Sequence, residues 1–143
     1  MDRKSFLKTC GFACLGGGVL ASALQSCGTS NKMIDGTIDH SDLVIPLAAF
    51  QHDKSYRKYV VVQHAQLKDP ICVYRFSETD YSALLMRCPH QGAELQVFGA
   101  RLQCPAHGSE FNNRGVVQNG PADSNLRTFP VSIQNNQLYI SLK

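Results

Sequence analysis

Tryptophan is absent from the 143-residue chain, and so are a sustained helical period, a glycine-rich phosphate loop and a nucleophile paired with a base. The missing period excludes helical bundles and coiled coils. The missing loop and nucleophile leave no catalytic site and no substrate to assign, so turnover belongs to whatever complex the chain serves. Charge is sparse too. Charged residues make up 17% of the chain and the net charge is +3. Much of that sits at the start, where Arg3, Lys4 and Lys8 face only Asp2, while the rest of the chain carries eleven Lys and Arg against ten Asp and Glu. No basic block or aromatic-interleaved basic stripe occurs, and nucleic-acid binding needs several clustered phosphate contacts, so nucleic acid is excluded as a partner. What remains is ordinary: 43% hydrophobic residues and enough length for one domain with a short appendage.

From Leu43 onward, runs rich in Val, Ile, Leu, Tyr and Phe follow one another over residues 43–50, 58–64, 71–76, 81–87, 93–97, 100–104, 128–134 and 137–143. Turn residues separate them, among them Gln51-His52-Asp53, Lys68-Asp69-Pro70 and Asn135-Asn136. The expected fold is all-β, an antiparallel sandwich or barrel. Phe129, Val131 and Ile133 alternate with polar neighbours, as do Leu138, Ile140 and Leu142, and the asparagines between them suit a two-residue turn at positive φ. Between Arg87 and Ala122, glycine and proline concentrate, which marks residues 87–122 as an inserted, loop-built subdomain that carries the chemistry.

The six cysteines are Cys10, Cys14, Cys27, Cys72, Cys88 and Cys104. Their positions argue against a disulfide framework. Cys72 lies within an apolar run and reads as a small core thiol. Cys88 and Cys104 belong to two short strings, Cys88-Pro89-His90-Gln91-Gly92 and Cys104-Pro105-Ala106-His107-Gly108-Ser109. Each supplies one thiolate and one imidazole from a single tight loop. Four such ligands could build a structural zinc site. Zinc modules, however, often pair like with like, whereas each loop here offers Cys first and His second. Two facing loops of this kind could gather two thiolates and two imidazoles at one metal centre. The glycines after each histidine allow a sharp turn.

With these motifs the sequence resembles the Rieske family over residues 43–142, most strongly from Cys88 to Leu126. Thirteen residues lie between His90 and Cys104, and Gly120-Pro121-Ala122 with Leu126 follows downstream. The resemblance implies one [2Fe-2S] cluster held by Cys88, His90, Cys104 and His107, with the Gly120-Pro121 segment as a third loop over it. It also implies single-electron transfer: with two thiolates and two neutral imidazoles the cluster is uncharged when oxidised and carries one negative charge when reduced. In the cytochrome bc type each cluster loop has an extra cysteine and the two form a disulfide. Here Ala93 or Glu94 and Ala106 stand at those places, so that bridge cannot form. Ser109 matches the serine that donates to a bridging sulfur in high-potential members, whereas Phe111 replaces a tyrosine that donates to a cysteine sulfur. One of two tuning donors remains. The expected potential therefore lies inside the family span of about −150 to +300 mV, below the disulfide-bearing proteins and above those lacking both donors.

Residues 1–27 read as an export leader, with a basic start, an apolar glycine-rich stretch from Gly11 to Leu24 and small residues before Cys27. The stretch is shorter than the roughly 20 residues of a comfortable membrane-spanning helix. Arg3-Lys4-Ser5-Phe6-Leu7-Lys8 resembles a twin-arginine signal with lysine at the second arginine. A translocase for folded cargo suits a protein folded around a cluster in the cytoplasm. Leu24-Gln25-Ser26-Cys27 resembles a lipoprotein processing site, which would acylate Cys27 and hold the domain at the periplasmic face of a membrane. Residues 28–42 are expected to be a flexible tether and 43–143 the folded domain.

The expected role is an electron carrier or electron-transfer subunit, with a quinol-oxidising complex, a cytochrome or a molybdenum oxidoreductase as redox partner. The alternatives are the ferredoxin component of an oxygenase system, which would need no leader, and a zinc-stabilised module without redox activity. His40, His52 and His64 fall outside ligand spacing and read as surface or turn residues. Arg87, Arg101 and Arg114 lie near the cluster loops in sequence, where they could steer an acidic redox partner, but read rather as scattered solvated charges, and Tyr56, Tyr59 and Tyr81 read as strand residues rather than electron relays.

Overall fold

The computed structural model describes residues 31–143, so the leader, Cys27 and residues 28–30 of the expected tether lie outside it. In chain order the strands are β1 (Met33–Asp35), β2 (Thr37–Asp39), β3 (Asp42–Pro46), β4 (Gln51–His52), β5 (Ser55–Tyr56), β6 (Tyr59–Gln63), β7 (Ile71–Arg75) and β8 (Tyr81–Leu85). Then come β9 (Gln96–Phe98), β10 (Arg101–Gln103), β11 (Glu110–Asn112), β12 (Val117–Asn119), β13 (Thr128–Phe129), β14 (Val131–Gln134) and β15 (Gln137–Ser141). No described helix is long and apolar enough to cross a membrane.

A five-stranded sheet, β1-β6-β7-β8-β13, forms the middle layer. Its strands β6 and β7 are buried on both faces, which is why residues 59–63 and 71–75 show near-continuous hydrophobic runs and no clean alternation. One face, through Val60, Val62, Ile71, Val73 and Ala83, packs with Leu43, Ile45, Leu138 and Ile140 of the sheet β14-β15-β3-β2. The other, through Val61, Cys72, Tyr74 and Leu84, packs with Val97, Leu102 and Phe111 of the sheet β12-β11-β10-β9. Cys88 and Cys104 belong to this second core. The same apolar packing that holds the sheet β12-β11-β10-β9 on the middle layer therefore holds both cysteines.

Several sequence expectations are corrected. Residues 33–35 and 37–39 are strands, not tether: β1 runs parallel to β6, the exception among otherwise antiparallel pairs, and β2 pairs with β3. Ile34 and Ile38 pack against the first core, and Gly36 lies between them with space for no side chain. A Cβ there would sit 2.5 Å from Leu43 Cδ1 and 3.0 Å from Val62 Cγ1. Gly36→Ala should destabilise the domain by about 1–3 kcal/mol, read as a lower denaturant midpoint. A neutral effect would restore residues 33–42 to the status of tether. Prolines divide two of the expected strands. After Pro46 the chain turns through a 3-10 segment, Leu47–Phe50, and at Pro130 the run 128–134 passes from the middle sheet to the outer one. Proline cannot donate to a ladder, so each run breaks there.

The hairpin β14–β15 is as expected, with Asn135 and Asn136 at φ 48° and 60° and Gln134 opposite Gln137. Cys72 is fully buried in β7, and burial pushes its thiol well above the usual cysteine range against a smaller opposing effect of the Tyr74 hydrogen bond. It is a neutral core thiol. The three arginines are not free charges. Arg87 pairs with Asp69 at 3.3 Å and Arg101 with Glu110 at 3.7 Å. Arg114 donates to Asp80 at 2.6 and 3.0 Å and lies 3.6 Å over the Phe76 ring, and its hydrogen bonds hold the Asp80 carboxyl below the usual range.

Candidate metal centre

Two loops beside the sheet β12-β11-β10-β9 share one backbone design. The first follows β8: Arg87 bridges Glu94, the Cys88 amide donates to Ala93 O at 2.8 Å, and the Gly92 amide donates to Cys88 O at 2.8 Å. The second joins β10 to β11: Gln103 pairs with Glu110, the Cys104 amide donates to Ser109 O at 2.8 Å, and the Gly108 amide donates to Cys104 O at 2.9 Å. Each turn closes through a glycine in the left-handed region, Gly92 at φ 78° and Gly108 at φ 82°. The loops thus repeat each other although histidine stands two residues after Cys88 and three after Cys104.

The design sorts the donors by depth. Cys88 and Cys104 are 1% and 2% exposed, while His90 and His107 stand at the surface. The two imidazole rings lie side by side, centroids 5.0 Å apart and perpendicular. Imidazoles sharing one tetrahedral ion at bonds of about 2.0–2.1 Å bring their ring centres about 5 Å apart, so the spacing fits a common metal. Among the described residues no three Cys, His, Asp or Glu side chains gather around a single point. Two buried thiols and two exposed imidazoles instead suit a centre with two metals and two protein donors for each.

Ser109 is fully buried, and its Oγ accepts a 2.9 Å hydrogen bond from the Ala122 amide. This contact draws the Gly120-Pro121-Ala122 segment against the second loop. It also leaves the hydroxyl hydrogen free to donate elsewhere. Phe111, on β11, is fully buried and offers no donor. His40, His52 and His64 lie apart from this site: His40 contacts Asp39 in a turn, His52 is on β4, and His64 Nδ1 accepts from the Gln66 amide. Sequence reasoning missed one contributor. The Arg87 guanidinium lies against Gly92, where a Cβ would come within 2.9 Å of Nη2, and Asp69 holds it from a separate loop. No local pattern could signal a pair 18 residues apart.

Comparison with known proteins agrees with this geometry. Residues 47–130 match the family model of the Rieske [2Fe-2S] domain. The oxygenase component of dicamba O-demethylase from Stenotrophomonas maltophilia is 34% identical over 84 residues, covering 52% of this chain and 25% of that protein. Cytochrome b6-f complex iron-sulfur subunit 2 from Nostoc is 30% identical over 64 residues, covering 43% and 36%. The match thus spans between a quarter and about a third of these curated relatives. Among solved structures, the cyanobacterial plasma membrane Rieske protein from Synechocystis PCC 6803 superposes with a TM-score of 0.52 at 25% identity, over 59% of this chain and 87% of that one. The ferredoxin of carbazole 1,9a-dioxygenase from Nocardioides aromaticivorans shares the fold, with a TM-score of 0.52 at 22% identity over 70% and 95% of the two chains. The chain belongs to the Rieske [2Fe-2S] domain family, whose members bind one [2Fe-2S] cluster and mediate electron transfer.

Proposed function

We propose that Cys88 and Cys104 bind one iron of the cluster and His90 and His107 the other. The chain then serves as a single-electron carrier or electron-transfer subunit of a membrane-associated respiratory or oxidoreductase complex. The observation that carries the ligand assignment is the repeated loop design, with thiols inside and imidazoles outside at 5.0 Å. When bound, the cluster supplies a one-electron couple. The chain's residues set its surroundings. Leu102, Phe111 and Leu126 pack in the same core as the cysteines and keep water from the thiolate side. The exposed imidazoles offer a docked protein the shortest route to the metal. Ser109, whose Oγ accepts from the Ala122 amide, keeps its hydroxyl hydrogen free and would donate it to a cluster sulfur, whereas Phe111 would offer no second donor.

In this reading residues 1–27 export the chain and Cys27 is acylated, holding the domain at the periplasmic face of a membrane. The likeness to a b6-f iron-sulfur subunit supports a membrane complex as partner. The likeness to an oxygenase component supports the alternative, an electron-transfer component of an oxygenase system. Fractionation of cells expressing the full chain separates them. The holoprotein is expected in the membrane fraction, and Cys27→Ser should release most of it to a soluble fraction. A wild-type chain found entirely in the cytosol would favour the oxygenase system.

A further inference from the structure

The surface around the two imidazoles is not symmetric. A groove of about 490 Å³ runs beside His90, and its walls include Leu85, Arg87, Gln91, Asn125 and Arg127. Two arginines line it and no carboxylate does, although residues 31–143 carry only one more Lys and Arg than Asp and Glu. Because Arg87 is matched by Asp69, Arg127 is the groove's one arginine without a carboxylate partner among the described residues.

The two arginines have different circumstances. Arg87 is committed to the loop, paired with Asp69 and packed on Gly92. Arg127 is exposed. Its carbonyl accepts from the Leu85 amide at 2.9 Å, which sets it beside the strand leading into the Cys88 loop. Its guanidinium lies 4.8 Å from the Phe129 ring centre and donates to Leu142 O at 3.3 Å. Among the described residues no carboxylate lies within ion-pair distance of it. The His107 side is different. Residues 104–109 carry no Lys or Arg, and exposed Asp123 follows Ala122, which is bonded to Ser109.

We propose that the groove beside His90 is the docking site of the redox partner, and that this partner is a protein presenting an acidic segment whose Asp or Glu side chains pair with Arg127. The electron then crosses at the His90 edge. The proposal rests on the assignment of His90 as a ligand. A carboxylate seated in the groove would complete the arginine's unused donors and exclude water beside His90. Before contact the local field would steer an acidic surface to this side. Only one electron passes, from the reduced cluster to the partner's oxidised centre, and no atom is exchanged.

Stopped-flow oxidation of the reduced full-length holoprotein by hexacyanoferrate(III) tests the groove, each event reducing one anion to hexacyanoferrate(II). At low ionic strength Arg127→Glu should slow the reaction about tenfold and Arg127→Gln by a smaller factor. Both effects should vanish at about 1 M salt, where the screening length is about 3 Å. Lys54→Glu makes the same charge change on the turn between β4 and β5, outside the groove, and should slow it less than twofold. A hexaglutamate peptide should compete in the wild type and not in Arg127→Glu, whereas hexalysine should not compete. Equal slowing by Arg127→Glu and Lys54→Glu would mean that net charge alone steers, and would overturn the groove. So would hexaglutamate competing equally in both proteins. A wild-type protein lacking the visible spectrum of the cluster would instead refute the ligand assignment.

Discussion

Cys104→Ser is expected to give a folded chain with no [2Fe-2S] chromophore and no paramagnetic signal on reduction. The argument is one of donors and depth. Cys104 is 2% exposed and lies in one core with Cys88, Leu102 and Phe111, so a lost thiolate has no replacement from solvent or from a neighbouring side chain. Cys72 cannot substitute: its thiol is held neutral inside β7 by burial. The variant should still fold, because the Cys104 amide and carbonyl, which close the loop with Ser109 and Gly108, are untouched by the change. Iron and sulfide analysis together with the visible spectrum would measure the loss. Retention of a full chromophore in Cys104→Ser would remove Cys104 from the ligand set. A colourless wild-type protein that binds zinc would remove the redox reading.

Ser109→Ala and Phe111→Tyr are expected to move the reduction potential in opposite directions. A donor to sulfur stabilises the reduced, more negative cluster more than the oxidised one. A hydrogen bond to a charged acceptor is worth about 1.5 kcal/mol, and for a single electron about 1.4 kcal/mol corresponds to about 59 mV. Ser109→Ala should therefore lower the potential by about 60 mV, and Phe111→Tyr should raise it by a similar amount. The serine change also strips the Ala122 amide of its acceptor at 2.9 Å, which costs stability without bearing on the sign of the potential. The double variant should return near the wild-type potential if the two donors act independently. Protein-film voltammetry reads all three. A potential unmoved by Ser109→Ala would mean that the free hydroxyl hydrogen points away from the cluster.

The site was more legible in the sequence than the fold was. Cys88-Pro89-His90 and Cys104-Pro105-Ala106-His107 announce themselves because metal chemistry needs particular residue types in one short loop. Asn135-Asn136 announces a hairpin because few residues accept two successive positive φ angles. Harder to see were β1 and β2. Each has three residues and one half-buried side chain, Ile34 or Ile38, so no period can develop. They are held by partners that follow later in the chain and by the side-chain-free space at Gly36. The strands β11 and β12 were hidden in a stretch whose glycines suggested loop alone. The ion pairs of Arg87 and Arg114 join residues 18 and 34 apart, a distance at which sequence offers no signal. Residue chemistry is local and pairing is not.

The assignment of two histidines to one iron can be tested most directly by pulsed electron paramagnetic resonance on the reduced holoprotein, prepared with nitrogen-15 histidine. The account expects two strongly coupled imidazole nitrogens, reduced to one or abolished with the cluster in His90→Ala and in His107→Ala. A reduced cluster coupled to no histidine nitrogen, or coupling that survives unchanged in both variants, would contradict it.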